Sequence, residues 1–171
     1  MFGVANDHAT RVIPAFVKAV YEGADLNVEG GDNAFDFTFV DEVVRALGLL
    51  VTGLQRGQRY QPMHFTTGYE TSLNTPASTV IELFQSQSRM IHHTPRDFDV
   101  SRFSESIDLA FQQLGWRHEE QSLTYFLRQY AERLGMLNVK SQTESIVCLS
   151  DREKSAVCDN EDNCKLKMGQ G

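Results

Sequence analysis

No run in the sequence approaches the ~20 apolar residues of a membrane span, and Met1 to Thr10 lacks the basic region and apolar stretch of a signal peptide. No membrane partner is expected, and the expected location is cytoplasmic. Basic side chains are outnumbered: 16 Lys and Arg against 23 Asp and Glu leave a formal net charge of −7. A surface that binds a phosphate backbone needs the opposite balance, so nucleic acid is not an expected partner. Cysteine is scarce, and Cys148, Cys158 and Cys164 form an odd set confined to the last quarter, unlike the even framework of a small secreted domain. Reduced thiols are the simpler reading. No repeat shows at solenoid periods. After Asn138 aromatics and long apolar patterns vanish, so residues 138–171 are read as a polar, disordered tail whose apolar content cannot offset its ordering entropy. Residues 1–137 remain as the ordered domain.

That domain alternates helical and strand periodicities. In "TRVIPAFVKAVYEG" Val12, Ile13, Phe16, Val17 and Val20 fall at helical spacing, with Gly23 as a stop. "DLNV" alternates as a short strand, and Gly30 to Asn33 supplies a turn. Phe35, Phe37 and Phe39 then occupy every second position, predicting a strand with one aromatic face. Asp41 is the expected N-cap of a helix through Val51, whose buried face would be Val43, Val44, Leu47, Leu50 and Val51. "PMHFTTG" reads as a strand. Ser72 caps a helix that buries Leu73, Ala77, Val80, Ile81 and Phe84; a mixed strand and loop from Arg89 to Phe103 follows. Two more helices close the pattern, one ending at Gly115 before Trp116, the other running from about Glu119 to Leu134.

Taken in order, "FDFTFVDEVVRAL", "TTGYETSLN", "RDFDVSRF" and "LGW" resemble the C-terminal portion of the NAD-dependent epimerase/dehydratase family, the extended short-chain dehydrogenases/reductases that act on nucleotide-sugars. The resemblance runs from Met1 to about Leu134. It implies an α/β fold: the C-terminal, substrate-binding part of a Rossmann-type fold, without the N-terminal dinucleotide-binding half. It implies NAD for the full-length family, but none bound by this chain. The family's Gly-rich loop is missing, and none of Tyr21, Tyr60, Tyr69, Tyr125 and Tyr130 has a lysine four residues on. Without that Tyr-Lys pair and its cofactor the hydride and proton transfers of the family have no agents, so the chain alone is expected to be catalytically silent. Met1 is expected to correspond to an internal methionine of a longer ancestor.

The resemblance also implies where a UDP- or dTDP-linked sugar would lie. Arg96, in "RDFD", matches the arginine that grips the pyrophosphate, a task suited to the planar guanidinium fork; its plain alternative is a solvated surface charge. Leu26 and Val28 match positions that hold the nucleobase, or equally form a strand packed into the domain. Arg11 and Val12 match the mouth of the same pocket, Val12 being the more ordinary core residue. Phe35 stands where the family's turn carries a second arginine, and losing that guanidinium would weaken phosphate binding by about 1.5–3 kcal/mol. No metal is expected at His92 and His93, adjacent imidazoles without a partner at ligand spacing. Two readings stay open: the nucleotide-sugar-binding portion of an epimerase, dehydratase or decarboxylase, or a non-catalytic module that pairs with a separate Rossmann chain. In either case apolar surface would be left exposed.

Overall fold

In the computed structural model the described residues are 1–137; the tail expectation and its three cysteines lie outside them. Helix α1 (Val12–Tyr21) forms as its spacing predicts, burying Ile13, Phe16, Val17 and Val20 and leaving Val12 at the edge. Each such side chain taken fully from water contributes about 1.5–3 kcal/mol. Strand β1 (Leu26–Glu29) alternates buried and exposed residues and pairs in parallel with β4 (Met90–His93), Leu26 opposite Met90 and Glu29 opposite His93. Between β1 and β2 (Ala34–Phe35) the chain turns through Gly30, whose φ of +62° suits a residue without Cβ. β2 is the centre of a second sheet, antiparallel to β3 (Thr71–Ser72) and parallel to β5 (Arg102–Phe103).

The predicted aromatic strand is only two residues long. Past Phe35 the chain is held by different bonds: Phe2 and Val40 exchange backbone hydrogen bonds with Thr38 and Phe2 in turn, making a lone parallel bridge between Phe2 and Phe39. Phe39 is buried and stacks on Phe126, while Phe35 and Phe37 are half-buried. The opposite face is not solvated either, since Asp36 and Thr38 are both buried.

Helix α2 (Val40–Gln55) corrects two expectations. Its N-cap is Phe39 rather than Asp41, whose carboxylate instead pairs with Arg133 at 2.6 Å. Its buried residues are Glu42, Ala46 and Gly53, whereas Val44, Leu47, Val51 and Leu54 are 60%, 45%, 51% and 52% exposed. Helical periodicity identifies an apolar stripe but not what covers it. The segment "PMHFTTG" is also not a strand: the amide N–H groups of Thr67 and Gly68 donate to Asp36 rather than to a neighbouring strand, while Met63 and Phe65 pack around Trp116. Ser72 lies in β3, so α3 (Asn74–Leu83) is preceded by Leu73, but it buries Ala77 and Val80 as its pattern predicts.

The last helices follow their signals closely. α4 (Asp108–Leu114) stops at Gly115, which takes φ +66° and donates its N–H to Phe111 O, the αL form of C-cap. α5 (Leu123–Arg133) begins later than the expected Glu119, capped by the Ser122 hydroxyl, which accepts from the Tyr125 N–H at 3.2 Å, and it buries Phe126, Leu127 and Tyr130. The main core gathers α1, β1, α3 and α5 around Phe2 and Phe39, and a smaller one surrounds Trp116. No helix among the described residues is long and apolar enough to cross a membrane.

Candidate functional site

A cleft of about 330 Å³ opens between the start of α1, the polar face of β1, Phe35 of β2 and the loop from Arg96 to Val100. It follows from the alternation of β1. Leu26 and Val28 turn into the core, each 1% exposed, so Asn27 and Glu29 must face the other way, and both line the cleft. Val12, Phe16 and Leu73 give it an apolar side; Thr10 adds a hydroxyl. Beyond Val12 and Phe35, which border both, lies a second cavity of about 260 Å³ bounded by Arg11, Asp36 and Phe103.

Arg96 is the cationic group of the first cleft. Its Nε meets a Glu29 carboxylate oxygen at 3.1 Å and both oxygens of Asp99 at 3.2 Å, and its guanidinium carbon lies 5.2 Å from the centre of the Phe98 ring. Asp99 is bound more firmly, because the Arg96 backbone N–H also donates to it at 3.1 Å and the Asp99 N–H returns a bond to Arg96 O. The Asp99 hydrogen bond and charge, followed by the charge of Glu29, raise the pKa of Arg96 above its ordinary value. Reciprocally, hydrogen bonds from the Arg96 side chain and backbone hold the Asp99 carboxyl below the usual carboxylate range. The guanidinium therefore stays charged, is fixed through Nε, and keeps its two-pronged Nη edge as the part suited to a bidentate anion.

The sequence-predicted residues divide between these places. Arg96, Val12 and Phe35 come together in the first cleft. Arg11 is in the second, its Nη1 3.1 Å from Asp7, so it does not reach Arg96's ligand surface. Leu26 and Val28 line neither cleft, their side chains being core. Sequence reasoning passed over Asn27 and Glu29, though the period-two pattern that buries Leu26 and Val28 was the signal for them. His92 and His93 lie apart, beside Gly30, Asp32 and Pro95, with His93 Nε2 2.9 Å from Asn27 Oδ1. No group of three His, Cys, Asp or Glu among the described residues could hold a metal.

A strand passing through a glycine-rich turn into a helix N-terminus is what a dinucleotide pyrophosphate requires. Among the described residues β1 leads through its glycines into β2, and β3 enters α3 without a glycine, so neither connection has that form.

Comparison with known proteins gives this geometry a context. Residues 1–65 match the model of the NAD dependent epimerase/dehydratase family. A search of curated proteins finds no match. Among solved structures, MoeE5 in complex with UDP-glucose and NAD is 26% identical, covers 77% of this chain and superposes with a TM-score of 0.67. An epimerase from the methanogen Methanothermobacter thermautotrophicus is 23% identical over 84% of this chain, TM-score 0.66. The UDP-glucose 4-epimerase of Thermotoga maritima, solved with UDP-glucose, is 22% identical over 78%, TM-score 0.65. The match covers only 40–43% of those three chains, so this chain spans about two fifths of their length. Its α/β architecture is that of a part of these folds.

Proposed function

We propose that this chain is the nucleotide-sugar-binding, C-terminal portion of an extended short-chain dehydrogenase/reductase of the epimerase/dehydratase type. The observation that carries the proposal is the first cleft, which unites Arg96 from one motif with Val12 and Phe35 from two others, 61 and more positions away in the sequence. In it the Nη edge of Arg96 receives the diphosphate of a UDP- or dTDP-sugar, the apolar side formed by Val12, Phe16 and Leu73 takes the flat base, and Asn27 and Thr10 offer hydrogen bonds. The chain binds and orients. The hydride and proton transfers need a Gly-rich dinucleotide loop and a Tyr-Lys pair that the sequence does not contain, so the chain by itself turns over no substrate.

The exposed stripe Val44, Leu47, Val51 and Leu54 of α2 favours a complementary reading, in which a Rossmann-type partner chain covers that face. Calorimetric titration with UDP-glucose tests the proposal: the chain binds it, Arg96→Ala weakens binding about tenfold or more, and NAD gives no heat of binding. Unchanged affinity in Arg96→Ala, or measurable NAD binding, refutes it.

A further inference from the structure

Two carboxylates converge on one nitrogen of Arg96, one more than its positioning requires. Asp99 already takes three hydrogen bonds from Arg96, one from the backbone N–H and two from Nε, and returns its own N–H to Arg96 O. Glu29 adds a single approach of 3.1 Å from the opposite wall, across 67 positions of sequence, and its side chain is 47% exposed. The charged groups lining the cleft are thus two carboxylates against one guanidinium. Phe35 adds bulk where a further cation could have stood.

We infer that Glu29 tunes the affinity of this cleft, its charge weakening the hold of Arg96 on a phosphate ligand. The inference rests on the reading of the cleft as a nucleotide-sugar site. A phosphate on the Nη edge lies across the guanidinium from Glu29, at about 5–6 Å from its carboxylate, and each of its negative charges is repelled at that distance. Asp99 exerts the same repulsion but also holds the guanidinium in place. Glu29 exerts it without being needed for the hold, so its charge acts on affinity: the cleft takes a diphosphate ester more weakly than its shape alone allows.

The test is calorimetric titration of the full chain with UDP-glucose at low and at 0.5 M salt (about a 4 Å Debye length), using the wild type, Glu29→Gln and Asp99→Asn. Glu29→Gln keeps the side chain's size and an acceptor oxygen, and tightens UDP-glucose by about fivefold at low salt; the gain shrinks at high salt, which a change of packing would not do. Asp99→Asn removes the same charge but loosens the grip on Arg96, and gains nothing. Wild-type binding that is not tightened in Glu29→Gln, or an equal gain in both variants, overturns the role given to Glu29 while leaving the cleft reading intact. Absence of UDP-glucose binding in the wild type and in Glu29→Gln overturns the cleft reading, and this inference with it.

Discussion

Replacing Asp36 by alanine should destabilise the described domain by about 3 kcal/mol. The side chain is 9% exposed and accepts four hydrogen bonds: Thr38 Oγ1 at 2.6 Å and Thr67 N at 3.0 Å on one oxygen, Thr67 Oγ1 at 2.7 Å and Gly68 N at 2.9 Å on the other. A hydrogen bond to a charged group is worth about 1.5–3 kcal/mol, so four taken at face value would exceed the expected total. They are not independent. The two hydroxyls can rotate to other acceptors, and the Thr67 and Gly68 amides lie near enough to the surface to reach water, leaving about half of the low end of the gross value. Asp36→Asn keeps one acceptor oxygen but puts an NH₂ toward the Gly68 N–H, and should cost about 1.5 kcal/mol. Urea unfolding followed through Trp116, the chain's single tryptophan and 0% exposed, reads both. For the alanine variant the same loss corresponds to a fall in Tm of roughly 10 °C. A loss under about 1 kcal/mol in Asp36→Ala, or an equal loss in both variants, refutes the claim that this carboxylate ties β2 to the Thr67–Gly68 turn.

Two further outcomes follow from α2. Glu42 is 4% exposed; burial pushes its carboxyl up, but the Arg45 side chain, the Glu119 N–H, and the charges of Arg45 and His118 outweigh that and leave its pKa below the usual value. Its stabilising effect is therefore complete above the ordinary glutamate range and is lost as pH falls through the lower folded value. Glu42→Gln should cost about 1–2 kcal/mol at neutral pH, with the gap to wild type closing on acidification in urea titrations; a gap that does not depend on pH would sink the assignment. Leu47→Glu with Val51→Lys, on the exposed stripe, should change stability by no more than about 0.5 kcal/mol while lowering light scattering of concentrated solutions. A loss of several kcal/mol, about the cost of a disrupted core, would show that the face is packed in solution.

What the sequence made legible follows from how local each cause is. The Gly115 stop and the stripes of α1, α3 and α5 depend on residues a turn or two apart, and the structure has them where the pattern puts them. Failures came where a distant group decided the matter. The strand expected through Phe39 is cut short because its backbone pairs with Phe2, and the strand expected before Gly68 is replaced because Asp36 takes its amide hydrogens. α2 departs from its expected burial for a related reason: which face of a helix is buried is set by the elements packed against it, and here these meet Glu42, Ala46 and Gly53 rather than the apolar stripe.

The cleft shows the same division at closer range. Arg96 stood out in its own motif as a cation, but its electrostatic state could not be read there, because Glu29 approaches it from a strand that the sequence separates by 67 positions. The alternation of Leu26, Asn27, Val28 and Glu29 says that two of the four face away from the core. Only the parallel pairing of β1 with β4, which carries the chain past His93 to Arg96, says what they face. Leu26 and Val28 turn their side chains into the core, and the pleat gives the wall of the cleft to Asn27 and Glu29. A substitution at Glu29 consequently alters the charge of the cleft wall, while one at Leu26 or Val28 alters the core.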